Sequence, residues 1–395
     1  MQKSTIIIII LISLVSYNVC ATYAGIDDVT IHGFISQGYL KSTNNNFIIK
    51  NSTDGSAEFN EAGLNFSTEI TDNLRGGLQL FSRDLGDIGN NEFKLDWGFL
   101  EYSLKDEIGL RFGKVKPPFG FYNQGRDVDL LRTYILLPQS VYMEDLRDIF
   151  VGIFGVNPYG TLSLGSAGSL EYNIGYGFTN VDDDLPFMVD LLSSVLGTIP
   201  SSVKTDLDYA LGGGLRWDTP IQGLKLGISY AEAELSFDYK STILNSKMGL
   251  KLTDWYVYSL EYVRNNLTLI AELSQNIYSY TNVPVIGVSK AKLQGYYAQI
   301  SYQFFDWLET GTYYSVYYAD KDDKDGNRYK ILGLPDYRAW QKDWAIFTRF
   351  DITDNWLLKL EIHFLDGVAQ TYSLYNMAGF KRKSKLYTVK TTFNF

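Results

Sequence analysis

One cysteine, two histidines and nine prolines in 395 residues close off several kinds of protein at once. The cysteine, Cys20, falls at the end of a short leader, so the chain beyond it carries no thiol chemistry, no disulfide framework and no cysteine-based metal site. Long apolar runs are equally scarce. Only Thr5 to Val15, behind Lys3, qualifies, and about a dozen residues are too few to cross a bilayer as a helix. Without repeated runs of about 20 apolar residues a helical membrane bundle is excluded. Positive charge is not in excess either: 35 Lys and Arg against 45 Asp and Glu give −10, which removes a chain-wide basic footprint for nucleic acid. The 15% aromatic content excludes disorder.

What the chain does have is 30 tyrosines and 35 glycines, a surplus that suits pleated, half-buried strands better than helices. Length alone allows two or three globular domains or one large closed all-β unit. The leader is read first. Its apolar run, followed by Val19-Cys20-Ala21 and Thr22-Tyr23-Ala24, has the form of a secretory signal peptide over residues 1–21, with cleavage after 24 as the variant. Residues 25–395 are then one domain.

From Val29 onward, segments of about ten residues place apolar or aromatic side chains at every second position. Leu358, Leu360, Ile362 and Phe364 alternate with Lys359, Glu361 and His363. Tyr387, Val389, Thr391, Phe393 and Phe395 alternate with Thr388, Lys390, Thr392 and Asn394. Leu170, Tyr172, Ile174, Tyr176 and Phe178 do so against Glu171, Asn173, Gly175 and Gly177, and Leu224, Leu226, Ile228 and Tyr230 against Lys225, Gly227 and Ser229. A soluble sandwich alternates too. The signal peptide, the repetition along the whole chain and aromatics near strand ends (Trp255-Tyr256, Phe304-Phe305-Trp307, Trp356) favour a transmembrane antiparallel β-barrel, apolar outside and polar within. On that assignment many tyrosines fall on the lipid face and its girdles, and many glycines on the lumen parity.

Connections alternate in length. Short ones are expected at 71–73, 105–107, around Tyr159-Gly160, 218–223, 265–266, 305–307 and 353–355. Long ones fall at 41–58, 84–91, 115–148, 180–206, 238–250, 282–291, 320–340 and 367–384. Fifteen connections imply sixteen strands, with both termini on the short-turn, periplasmic side.

In this pattern the chain resembles the trimeric general porins of Gram-negative outer membranes. The last strand, ending in Phe395, looks like the terminal signal read by the barrel-insertion machinery. Loop 115–148, after the fifth strand, corresponds to the porin loop that folds into the lumen and narrows it. There Pro118-Phe119-Gly120 resembles the turn opening that loop, and Gly113–Gly120 resembles the Lys-x-Pro-Phe-Gly stretch of phosphate-selective porins. The residues themselves agree that this loop is unusual: it is long, and Leu130–Pro138 is too apolar to stay in water. Its charges, Lys116, Arg126, Asp127, Asp129, Arg132, Glu144, Asp145 and Arg147, are candidates for a pore constriction. Strand parity adds Arg75, Arg83, Arg111, Arg216, Arg349 and Lys359, with Glu171, Glu261, Glu272, Glu309 and Glu361, as facing wall residues. The same charges could instead form ion pairs that pin the loop to the wall.

Enzymatic chemistry is not indicated. A hydrolase could use His32 or His363, but no serine nucleophile motif stands near either. Asp320–Asn327 lacks the ligands of a calcium loop, Lys321 and Leu332 standing at its first and twelfth positions. Gly212-Gly213-Gly214 has no phosphate-loop Lys-Ser/Thr after it and fits a strand with close contacts. Phe187–Ile199 could form a short helix capping the mouth. The expectation is a cofactor-free and metal-free outer-membrane channel passing small hydrophilic solutes and ions. The resemblance implies a homotrimer among lipid and lipopolysaccharide. A substrate-selective, including anion-selective, channel and an occluded structural or adhesive barrel are the alternatives.

Overall fold

The computed structural model describes residues 29–150, 152–180, 185–241, 245–282 and 290–395; the leader lies outside them. Sixteen strands follow one another around a closed barrel, every neighbour antiparallel. They are β1 (Val29–Ser42), β2 (Asn60–Thr71), β3 (Leu74–Asp84), β4 (Lys94–Lys105), β5 (Ile108–Val115), β6 (Ile153–Ser163), β7 (Ser169–Asn180), β8 (Ser202–Asp218), β9 (Leu224–Lys240), β10 (Asn245–Arg264), β11 (Leu267–Thr281), β12 (Lys290–Phe305), β13 (Leu308–Tyr318), β14 (Trp340–Thr353), β15 (Trp356–Gly367) and β16 (Lys383–Asn394). Closure pairs β1 with β16, Phe34 opposite Asn394 and Ser42 opposite Leu386. The Gly33 and Phe395 amides each donate to the other's carbonyl at 2.9 Å, so the ladder runs to the last residue. A closed ladder leaves no strand edge unsatisfied, which lipid requires.

The outer face is an apolar belt. Ile35, Leu100, Phe112, Phe178, Tyr258, Ile300, Trp344, Leu360, Tyr387 and Phe393 are all exposed. Such a continuous surface is untenable in water and suited to hydrocarbon. At the short-turn end the Phe305, Trp307 and Phe350 rings stack at 5.6 and 6.3 Å, and Trp356 donates its indole N–H to the Thr391 hydroxyl at 2.7 Å. Aromatic bodies with a satisfied polar handle belong at a membrane interface.

Expectations on connections and on parity need correction. The sixth and seventh strands do not turn at Tyr159-Gly160, which lie inside β6; the turn is 164–168, closed by Gly168 at φ +91°. Pro158 and Gly160 mimic a turn, but at Pro158 the pairing with β7 lapses and resumes in the same register without ending the strand. Likewise the connection placed at 238–250 shrinks, because β9 continues to Lys240 and β10 starts at Asn245.

The second correction concerns parity. Below the middle of β8, Gly212, Gly214 and Arg216 take the inward parity; above it Val203, Thr205 and Leu207 are the inward, buried set. Register shifts between Leu207 and Tyr209, and between Thr253 and Tyr256 in β10, move the alternation by one. Asp254 sits at the second with φ 50°. A bulge adds one residue and so flips every side chain beyond it. The bulge brings Met248, Leu250 and Leu252 inward; Trp255, expected in the outer girdle, shares the inward parity of Val257 and Ser259 below it and is buried, its indole donating to Ser274 Oγ at 2.9 Å.

Candidate functional site

The lumen is crossed by the connection between β5 and β6. Near its start, Pro118 lies against Gly214 and Phe121 against Gly227 on the inner wall. Glu272 of β11 receives the Phe121 amide at 2.9 Å and the hydroxyls of Ser259 (2.5 Å) and Tyr297 (2.9 Å). The chain then reaches the opposite wall. Asp129 accepts from Thr392 at 2.6 Å and pairs with Lys390 at 2.8 Å and Arg132 at 3.1 Å. Lys359 donates to the Asp129 and Tyr134 carbonyls at 2.7 and 3.1 Å, and one Glu361 oxygen accepts the Ile135 and Leu136 amides at 2.7 and 3.1 Å. Next the loop touches β12 and β13, where Ser140 donates to the Tyr296 carbonyl at 3.2 Å and receives Ser315 at 2.8 Å. A side chain at Gly295 would collide with the Ser140 carbonyl, so that position must be bare.

The return leg ends in α1 (Arg147–Phe150) beside β3 and β4. Arg147 pairs with Asp127 (2.7 Å), Asp96 (3.0 Å) and Asp148 (3.0 Å), and its guanidinium lies 4.0 Å from the Phe81 ring. Arg83 reaches Glu144 at 2.9 Å and Asp148 at 3.0 Å, Arg126 reaches Glu144 at 3.2 Å, and Lys116 reaches Asp127 at 2.6 Å. Burial would raise the Asp127 carboxyl, but Arg147 and Lys116 outweigh it and hold it well below the usual range. Asp148 is held at about 2 in the same way by Arg83 and Arg147. Thus seven of the eight loop candidates, Lys116, Arg126, Asp127, Asp129, Arg132, Glu144 and Arg147, sit in pairs that tie the loop to itself and to the wall. Asp145, the eighth, faces away into an upper vestibule. Lys390, Glu61, Asp96 and Asp148 join the network without being among the candidates from loop charge and strand parity. Lys390 was on the polar parity of the last strand, which was the available signal; its Nζ also lies 2.5 Å from Glu61.

Below the loop, against β5 to β8, a cavity of about 230 Å³ stays open. The loop contributes only Pro118 and Gln124, and the wall contributes Arg111, Glu171, Asn173 and Arg216. Arg111 is paired with Glu101 at 2.5 Å and lies 3.9 Å over the Tyr159 ring; Arg75 shares Glu101 at 2.9 Å. Arg216 donates to the Gly120 carbonyl at 3.1 Å, and among the described residues no carboxylate lies within ion-pair distance of it. Arg349 donates to the Leu130 carbonyl and pairs with Asp351, both at 2.7 Å, and Glu261 lies 3.6 Å from Lys225. Glu309 stands across the ladder from Arg349.

The lumen is not polar throughout, and here the expectation fails. Leu235, Phe237 and Tyr239 of β9 with Met248, Leu250 and Leu252 of β10 form a buried inner wall in the upper half. Leu185, Met188 and Leu192 at and within α2 (Pro186–Leu196) pack on it, as do Leu137, Val141 and Leu146 of the loop. Tyrosines occupy both faces: Tyr102, Tyr176, Tyr258, Tyr302 and Tyr387 are exposed outside, while Tyr134, Tyr142, Tyr297 and Tyr313 are almost completely buried inside. His363 lies there too, Nδ1 at 2.8 Å from Asp343 and Nε2 at 3.2 Å from Glu361. Each ring nitrogen faces a carboxylate, whereas a hydrolase needs one on a serine hydroxyl. Among the described residues no group of three or more His, Cys, Asp or Glu is placed to hold a metal ion.

No family model and no curated protein matches the sequence. Solved structures do. The chain is similar to the outer-membrane channel DcaP of Acinetobacter baumannii (13% identity, 95% of this chain and 100% of that one, TM-score 0.53) and to the anion-selective porin of Comamonas acidovorans (14%, 93% and 99%, 0.54). It is also similar to the in-vitro folded outer-membrane protein OmpT of Vibrio cholerae, in its trimer form (11%, 93% and 99%, 0.55). At these identities the likeness is one of fold: a sixteen-stranded barrel of the outer-membrane porin type.

Proposed function

We propose that this barrel is an outer-membrane channel passing small hydrophilic solutes and ions by passive diffusion through the part of the lumen that the crossing loop leaves free. One observation carries the reading: a loop bound to both walls stands over a polar cavity whose charged lining, Arg111, Arg216 and Glu171, comes from the wall. A fixed constriction beside immobile charges is what ion selectivity requires. The fold shared with solved channels supports the reading, and so does the apolar outer belt.

Three further parts belong to it. Residues 1–21 or 1–24 act as the export signal, Phe395 takes part in recognition by the insertion machinery, and the assembled form is a homotrimer among lipid and lipopolysaccharide. The guanidinium of Arg216 makes no ion pair within 4.0 Å among the described residues, Glu171 standing across the ladder beyond that distance, and favours an anion-preferring channel as the second reading. Phosphate belongs among the test ions because of the Gly113–Gly120 stretch.

Planar-bilayer recording tests the proposal. Insertion should give ohmic conductance steps, and a potassium chloride gradient should give a reversal potential on the anion side. Arg216→Glu should move that potential toward cations while the unit conductance changes less than twofold. Insertion without conductance would leave a structural or adhesive barrel.

A further inference from the structure

Above the loop lies a second cavity of about 310 Å³, enclosed by loop residues 139–149, α2 and the inner faces of β9 to β13. Its walls are apolar and aromatic, chiefly Leu250, Trp255, Tyr278 and Tyr317. Beside Glu144, which Arg83 and Arg126 hold, the polar lining among the described residues is Gln139, Asp145, Asp190, Asn276, Gln370 and Thr371, with no lysine or arginine. Asn276 is 6% exposed, and its Oδ1 has no hydrogen-bond partner. Asp190 accepts the Leu374 amide at 2.7 Å and the Ser373 amide, and among the described residues neither Asp145 nor Asp190 has an ion-pair partner within 4.0 Å, Arg83 and Arg338 acting on them from further off.

We propose that this vestibule is a binding site for an amphiphilic organic cation, an aromatic or alkyl body carrying an ammonium group. Each half of the ligand answers a feature that is otherwise unexplained. An inward apolar wall in a hydrated barrel is unfavourable until something covers it, and here α2 covers only part. Two carboxylates and an orphaned amide oxygen facing an apolar void are costly until a donor or a positive charge arrives. Tyrosine and tryptophan faces add cation–π attraction for the same group. A metal ion would answer the carboxylates and leave the wall bare; a neutral hydrocarbon would do the reverse. The volume lies at the small end of ligand pockets. The site rests on the channel reading only in making its ligand a transported solute.

Calorimetric titration of the full-length mature barrel in non-ionic micelles with three indoles of one shape tests the assignment. Tryptamine carries an ammonium, tryptophol a hydroxyl and indole-3-acetate a carboxylate. Tryptamine should bind at least tenfold more tightly than tryptophol, and indole-3-acetate most weakly. Asp145→Asn and Asp190→Asn should each weaken tryptamine about tenfold and leave tryptophol unchanged. Equal affinity for tryptamine and tryptophol, or no binding to a folded wild-type barrel, overturns the site without recourse to any variant. A barrel that binds tryptamine and conducts nothing retires the channel and keeps the site. One that conducts and ignores all three does the opposite.

Discussion

Asp129 shows how much can hang on one side chain. It is almost wholly buried and answers Lys390, Arg132 and Thr392 together, with Lys359 at 3.6 Å. Removing one member of a buried ionic group leaves the rest uncompensated, at a cost of about 3–5 kcal/mol. Asp129→Ala should therefore lower the thermal midpoint in micelles sharply, whereas removing the exposed Lys50–Asp87 pair should barely change it. Acid should act on the same network. The Asp148 carboxyl is at about 2 when folded, below its unfolded value, so its stabilisation is full above that unfolded value and disappears as pH falls toward 2. Asp145 has the opposite sign: burial pushes it up to about 6, so its contribution is complete at low pH and lost as pH rises through 6. Thermal midpoints of Asp145→Asn and wild type should converge below pH 4 and separate, in favour of the variant, above pH 7. The sequence placed these charges in the loop and Lys359, Glu361 and Lys390 on the inward parity. It did not reveal who pairs with whom, because Asp129 and Lys390 are brought together only by closure of the whole ring.

At the scale of strands and loops, alternation could be read wherever a strand is unbroken, as in β7, β15 and β16. It failed above the bulges in β8 and β10, since a single extra residue reverses the face of everything beyond it without changing the local composition. Deleting Asp254 removes the one residue out of phase, so Leu252, Thr253 and Trp255 then alternate regularly, and Met248, Leu250, Leu252 and Trp255 should all keep their inward faces. The expected result is retained heat-modifiable gel mobility, whereas an alanine inserted after Leu250, which puts Met248 and Leu250 out of phase with Leu252, should abolish it. The loop's entry into the lumen, by contrast, was legible from its length and its apolar middle, and Gly295 is where the wall admits it. Gly295→Ala sets a methyl group against the Ser140 carbonyl and should lift that segment, at about 1–3 kcal/mol. Faster tryptic cleavage at Arg126 or Arg132 would register the change.

For the whole molecule, the sixteen-strand ring was foreseeable from alternating connection lengths, and its seam from the terminal pattern ending in Phe395. What lies inside the ring was not, because an interior is set by which strands face each other across it, a relation that no local window contains. The seam also yields a prediction. Deleting Phe395 removes the two 2.9 Å bonds with Gly33 and the ring that packs over that glycine, so the fraction of chains reaching a folded, membrane-embedded state should fall several-fold, as read from heat modifiability of outer-membrane fractions.

The loop that joins β3 and β4 to β11, β12, β15 and β16 is also a mechanical member. A thin hoop under uneven lateral pressure fails first by flattening into an ellipse, and struts fixed across its diameter at charged, buried joints oppose that mode of bending. The cross-section of this barrel should therefore stay rounder under membrane tension than that of the same ring with its struts cut.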